Sequence, residues 1–305
     1  MALTYDQISA ITHKKIIPKL VDNIFDSHPL LRRLRAKSPK LDGGEKIMVP
    51  LNYAINSANG WFTGADTLDT SDSDVFTSAE YLWKQAYSNI TVTRLDELKN
   101  SGDSAILNFV KNKTKIAEKT LADTLGTGIY SDGTTAKSIV GLQAIVDAGS
   151  TVGGIAQGTY SWWAAQENTT TTNLTLSAMQ SLFTSCSIDN DVPSVITATR
   201  AIFDIYYSLL QPQQRFIDSD SAKGGFSSLM FNGKPVIADS KCPASHMFML
   251  NEEYLDLYIH RDENFRFSPF ISPIDQAVKT AKIFFAGAMT SSNNRMHGKL
   301  SAITA

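Results

Sequence analysis

The sequence predicts an α+β chain in which one long helix and one long hairpin stand apart from a mixed remainder. Three observations predict this. Apolar and small residues from Ile106 to Gly128 recur at steps of three and four, the period of an amphipathic helix. Two alternating segments, EKIMVPL and YLWKQAYSNITVT, flank a long polar connection, as in a hairpin with an extended tip. From Gly141 onward, short strand-like runs alternate with helix-like ones.

Bulk properties bound the rest. A chain of 305 residues fits one large or two ordinary domains, and 43% hydrophobic with 19% charged residues is enough for a packed core. The formal net charge of −2 lacks the basic excess of a protein that grips phosphates, which disfavours sequence-specific nucleic-acid binding. The start, MALTYDQISAITHKK, has no charged region followed by an apolar one, so no signal peptide is expected. No stretch reaches about 18 apolar residues, so neither a transmembrane helix nor any other membrane partner is expected. In a cytosolic product, the N-x-[ST] triplets at Asn89, Asn168 and Asn173 carry little meaning. Cys186 and Cys242 form no CxxC and have no paired His, which leaves two buried free thiols as the expectation.

Taken in order, residues 4 to 40 open with Ile8, Ile11, Ile16, Ile17, Leu20, Val21, Ile24 and Phe25. Their spacing predicts an amphipathic helix from near Thr4, kinked or split at Pro18. The run LLRRLRAKSPK then clusters Arg32, Arg33, Arg35, Lys37 and Lys40, either a solvated face or one that docks on an acidic partner. In the hairpin, Asp66, Asp69, Asp72 and Asp74 meet no Lys or Arg between Trp61 and Tyr81, so the tip is acidic. A two-stranded hairpin of this length is marginal alone and needs something to lie on. The long helix has Ser101 or Asp103 as its N-cap, runs about 25 residues or near 40 Å, and ends at SDGT, with Gly133 suited to a turn. Residues 149 to 173, turn-rich and polar apart from Trp162 and Trp163, read as surface loop. Residues 174 to 188 and 199 to 210 read as helices, and PSVITAT, SLMFNGKPVIAD, HMFMLN and KIFFAGAM as short strands. No internal repeat is present.

Catalytic and cofactor patterns are absent. There is no GxSxG and no GxxxxGK[ST]. The glycines of GTGIYSDG sit at a helix end and read as a C-terminal cap, not a dinucleotide loop. His13, His28, His246, His260 and His297 are scattered singly. Asp218 and Asp220 in DSDSAKGG lack the remaining ligands of a calcium loop, and Asp69, Asp72 and Asp74 read as a solvated acidic tip. We therefore expect no catalytic residue, metal or cofactor, and no enzyme.

A terminal arm, a long hairpin, a long helix ending in IYSDGT, then Gly141-Leu142 and an α+β domain resemble, in that order, the major capsid proteins of tailed bacteriophages, with the Hong Kong 97-type fold. LLQPQQRF, GFSSLMFNGKPVIADSKCP, the strand-and-helix passage MLNEEYLDLYIHRDENF and the closing NNRMHGKLSAI resemble segments of the same family. The resemblance spans nearly the whole chain, and its motifs are moderately specific. It implies an N-terminal arm at 1–43 lying along a neighbour, an extended hairpin loop at 44–93 reaching over the adjacent subunit, and a peripheral domain with the spine helix at 94–140. It further implies an axial domain at 141–284 and a C-terminal strand at 285–305 returning to the peripheral domain. The implied function is self-assembly into hexamers and pentamers of an icosahedral shell that encloses phage DNA without reading its sequence. The implied location is the virion, after assembly in the host cytoplasm. The implied partners are a portal and a separate scaffolding protein, since no long extension precedes the arm, with a decoration protein as a further option. Some relatives crosslink subunits through a hairpin lysine; the tip from Trp61 to Tyr81 has none, and Lys84 lies in the strand.

The charge pattern adds an expectation of its own. Asp66, Asp69, Asp72 and Asp74 of one subunit are expected to approach Arg32, Arg33, Arg35 or Lys37 of another, with Trp61 and Phe62 in the same contact. Exposed pairs of this kind are worth about 0–1 kcal/mol each. The alternatives are an encapsulin-type shell of the same fold, a cytosolic α/β enzyme, and a phage tail or decoration protein.

Overall fold

The computed structural model describes residues 28–95, 103–170, 173–210 and 229–304. The segment expected to be helical from Thr4, Ser101, most of LLQPQQRF and the Asp218–Asp220 run lie outside them.

Helix α1 (Pro29–Lys37) starts on a proline, whose missing N–H removes no helical bond at that position. It buries Leu30, Leu31 and Leu34. Helix α2 (Asp103–Ile129) is the long one: 27 residues, about 40 Å. Thr114, Ala117, Glu118, Leu121, Ala122, Leu125 and Ile129 form its buried stripe, while Thr124, expected there, lies at the edge and is exposed. The chain leaves α2 through Gly133, at φ +75°, and enters the short α3 (Leu142–Ile145). Gly141, which precedes α3, admits no side chain: a Cβ there would lie 2.2 Å from Ser131 N and 2.7 Å from Gly128 O.

Two sheets carry the rest. The first has the order β1 (Lys40–Leu41), β12 (Leu255–Phe267), β13 (Val278–Ser291), β4 (Lys84–Thr93), and α2 packs along β4. Strands β12 and β13 form a long antiparallel pair with a bulge between Ile259 and Asn264. Strand β13 pairs with β4 from Val278↔Thr93 to Gly287↔Lys84. The second sheet has the order β7 (Gln166–Asn168), β14 (Gly298–Leu300), β11 (Met247–Leu250), β8 (Val195–Ala198), β10 (Lys234–Ala238), β9 (Met230–Phe231). Asn232 and Gly233, both at positive φ, make the tight turn between β9 and β10. Helices α4 (Leu176–Ser185), capped by Thr175, and α5 (Arg200–Leu210) belong to this half. Its central strands β8 and β11 are buried throughout and serve two cores. Val195, Phe248 and Leu250 face the core shared with α1, α2 and the first sheet, while Ile196, Ala198, Met247 and Met249 face the core under α4 and α5.

The hairpin is separate: β2 (Lys46–Asn52) and β3 (Phe76–Leu82) pair from Lys46↔Leu82 to Asn52↔Phe76. YLWKQAYSNITVT is therefore two strands, not one. Ala79 and Tyr81 are buried on β3, but Ser88, Ile90 and Val92 are buried on β4. The buried phase flips across Trp83, and each half belongs to a different sheet.

Three further expectations are corrected. Residues 255–267 form a continuous strand, with Leu255, Leu257 and Ile259 alternating inward, and no helix. The boundaries at 93 and 284 do not match the sheets: β4 leaves the hairpin for the first sheet, and β13 runs unbroken across 284. The closing strand β14 joins the second sheet, between β7 and β11, because its Gly298 packs where a Cβ would meet Cys186 Sγ at 2.4 Å.

Candidate functional site

The hairpin root is built into the body. Ile47, Leu51, Ala79 and Tyr81 are buried in the first core. The Tyr81 hydroxyl donates to Ser291 O at 2.8 Å and accepts from Ser291 N at 3.1 Å, tying β3 to the end of β13. Burial pushes this phenol well above its ordinary pKa, so it stays a neutral donor. A small hairpin, β5 (Thr151–Val152) and β6 (Ile155–Ala156), braces the other side. Its Gly153 sits at φ +62°, accepts from Glu80 N at 2.9 Å, and lies so close that a Cβ would be 2.6 Å from Ala79 Cβ. Tyr53 stacks on Trp162 at 5.3 Å. Trp163 is 1% exposed and donates to Val152 O, so the 149–173 region is not all surface loop: it carries one of the core's largest side chains. Trp83 Nε1 donates to Gly44 O, and Lys84 Nζ donates to Ala136 O.

The tip is the opposite. In the 53–75 connection, Trp61 is 105% exposed, Ile55 85% and Phe62 65%, with Leu68 also exposed. A buried Trp or Phe removes about 150–250 Å² of surface from water, and these side chains leave that surface exposed. The carboxylates shape the loop. Asp66 Oδ2 accepts from Thr63 N and Asp69 Oδ1 from Ser71 N, each at 2.9 Å. The backbone and side chain of Ser71 hold the Asp69 carboxyl below its usual range. Asp72 and Asp74 are exposed.

The basic run divides. Arg33 Nε and Nη2 donate to Glu252 Oε1 and Oε2 at 2.6 and 2.7 Å. Lys37 Nζ donates to Glu252 O and Glu253 O, both at 2.9 Å, and lies 3.5 Å from Asp256. Arg33 and Lys37, expected to meet a neighbour's acidic tip, are engaged by carboxylates and carbonyls of their own chain. Arg32 is exposed and Arg35 half-buried on the same helix.

Sequence reasoning missed Tyr81 as an anchor, and also Gly153, Trp163 and Glu252. Only the Gly153-Gly154 pair gave any local signal, and of the two only Gly153 is closed to a Cβ by a neighbour.

Other chemistry is quiet among the described residues. No group of three His, Cys, Asp or Glu is placed to hold a metal ion, and no helix is long and apolar enough to cross a membrane. Both cysteines are buried, and burial pushes the Cys186 thiol up to about 12. An open groove of about 650 Å³ runs along α2 past Ile116, Lys119, Thr120, Thr124 and Thr127. Its threonine hydroxyls bond back to carbonyls of their own helix, at 2.8–2.9 Å.

A long helix backing a sheet of long strands, a projecting hairpin and a second mixed sheet define the fold class: the Hong Kong 97-type fold of tailed-phage major capsid proteins. No family model matches the chain, and no curated protein matches it in sequence. Solved structures do match. The capsid of cyanophage A-1(L) superposes with a TM-score of 0.67 and 17% identity over 91% of this chain and 93% of that one. The capsid of a native GTA particle gives 0.64 and 12% identity over 89% and 90%. A holo-encapsulin complex from Synechococcus elongatus PCC 7942 gives 0.56 and 10% identity over 87% and 84%. At these identities the likeness is one of fold. The neighbours are structural shell chains, not enzymes.

Proposed function

We propose that this chain is a major capsid protein that self-assembles into hexamers and pentamers of an icosahedral shell enclosing phage DNA. The observation that carries the reading is the pairing of a capsid fold with a tip whose Trp61, Phe62 and Ile55 are left in water by their own chain. Burying them against a second copy supplies the apolar contact that the subunit alone cannot make. In this reading residues 1–43 are the arm, whose β1 pairs with β12, 44–82 the extended loop, and α2, β4, β12 and β13 the peripheral domain. The second sheet with α4, α5 and β14 is the axial domain. Asp66, Asp69, Asp72 and Asp74 meet a basic surface of the neighbour that carries Arg32, Arg33, Arg35 and Lys37. The shell forms in the host cytoplasm with a scaffolding protein and a portal, and becomes the virion wall. A near-neutral chain suits a wall that should not trap packaged DNA.

Electron microscopy of the purified protein tests this. Closed icosahedral shells or capsomer rings are expected, and a uniform population of monomers or dimers overturns the reading. The encapsulin likeness supports a second reading, a protein-filled nanocompartment. Particles isolated from the producing cell separate the two by content: nuclease-protected DNA for a capsid, protein cargo without DNA for a compartment.

A further inference from the structure

The two sheets are joined twice, and the joins lie side by side. Residues 251–254 lead from β11 to β12, and residues 292–297 return from β13 to β14. Asn251 N donates to His297 Nδ1 at 3.2 Å, and Ser292 N donates to Tyr254 O at 2.9 Å. Around this joint, His297 Nε2, both polar side-chain atoms of Asn294 and Ser291 Oγ are buried without a hydrogen-bond partner among the described residues. Opening the joint would hydrate them, so they weaken its closed form.

Helix α1 grips the joint from outside. Its Arg33 makes a two-point pair with Glu252, in the middle of the first join. Glu252 is also fastened inward: its N donates to Ser194 Oγ at 2.9 Å, and Ser194 Oγ lies 3.1 Å from Glu252 Oε2, just before β8. Lys37 reaches across the same turn, to the carbonyls of Glu252 and Glu253 and toward Asp256 at the start of β12. One helix thus holds the end of one sheet and the beginning of the other. Burial raises the pKa of Glu252, but hydrogen bonds from Arg33 and Ser194, with the charges of Arg33 and Lys37, outweigh it and keep the carboxyl below its usual range. Leu30, Leu31 and Leu34 seat the helix in the core, so the contact is not an isolated surface pair.

We propose that α1 is a strap across the joint between the two sheets, with Arg33 and Lys37 as positioning residues that hold the sheets at one relative angle. Lifting α1 frees the joint. That this angle sets the curvature a subunit contributes to a shell rests on the capsid reading; the strap itself does not.

The test is amide hydrogen exchange on the full chain carrying Arg33→Ala and Lys37→Ala. Exchange at 251–256 and 292–297 is expected to rise about tenfold, the scale of a lost charged hydrogen bond, with the core of α2 unchanged. Arg33→Lys, which keeps the charge but not the fork, is expected to give a smaller rise and covers the case in which the double variant does not fold. Reversing the pair, Arg33→Glu with Glu252→Arg, is expected to restore protection. Unchanged exchange at both joins in the first two variants overturns the strap, as does a rise spread evenly over the chain. Wild-type protein that forms no shells removes the capsid reading and leaves this result standing. Where shells form, the double variant is expected to broaden their diameters, and a distribution identical to wild type overturns the link to curvature.

Discussion

The root and the tip of the same hairpin follow opposite rules. At the root, Ala79 and Tyr81 are sealed into the core, Gly153 leaves no room for a methyl group, and Tyr81 bonds both backbone groups of Ser291. At the tip, Trp61 and Phe62 stand in water and the carboxylates bond only their own loop. The root therefore belongs to folding, and on the capsid reading proposed above the tip belongs to association. A stiff root also aims the tip, which lowers the ordering cost of each contact it makes.

Root substitutions should damage stability, and the largest effect is expected at Gly153. Gly153→Val places a branched side chain at positive φ against Ala79, at a cost of about 2–4 kcal/mol. Chemical denaturation should show this as a lower midpoint, and an unchanged midpoint would mean the brace yields. Acid is expected to act at the joint beside the root. His297 is fully buried and burial lowers its pKa to about 4, against 6.5 for the free side chain. The unfolded chain binds the proton first, so this contribution is intact above pH 6.5, falls as pH drops toward 4, and is constant below that. The loss is on the order of 3 kcal/mol. His297→Gln should flatten the pH dependence of stability between pH 4 and 6.5, and an undiminished slope assigns it elsewhere. Tyr81→Phe leaves Ser291 N and O unpartnered in a buried place, at about 1–3 kcal/mol; thermal melting reads it. Tip substitutions belong at the other end of the scale, within about 0.5 kcal/mol of wild type.

The same contrast marks what the sequence revealed. Helix α2 was legible because its 27 residues repeat one period many times. Both hairpin strands were legible by alternation, but their continuation into β4 was misread. Alternation persists through Trp83, and only the partner strand shows that the buried phase has changed. The sheet of β12 and β13 was not legible because their partners, β1 and β4, lie far back in the chain. Arg33 was assigned to a neighbour for the same reason: its partner Glu252 is 219 residues away. Local pattern reports period and turn chemistry, whereas ion pairs and sheet order depend on contacts that only the folded chain brings together. The acidic, exposed character of the tip was visible beforehand because Asp66, Asp69, Asp72 and Asp74 follow one another with no Lys or Arg between Trp61 and Tyr81.

The most direct measurement compares wild type with the Trp61→Ser/Phe62→Ser double variant for particle size and melting temperature under identical conditions. The account predicts that wild type sediments as closed shells while the variant remains as folded subunits with an unchanged melting temperature. A variant that assembles as readily as wild type, or one that loses its fold together with its assembly, would contradict it.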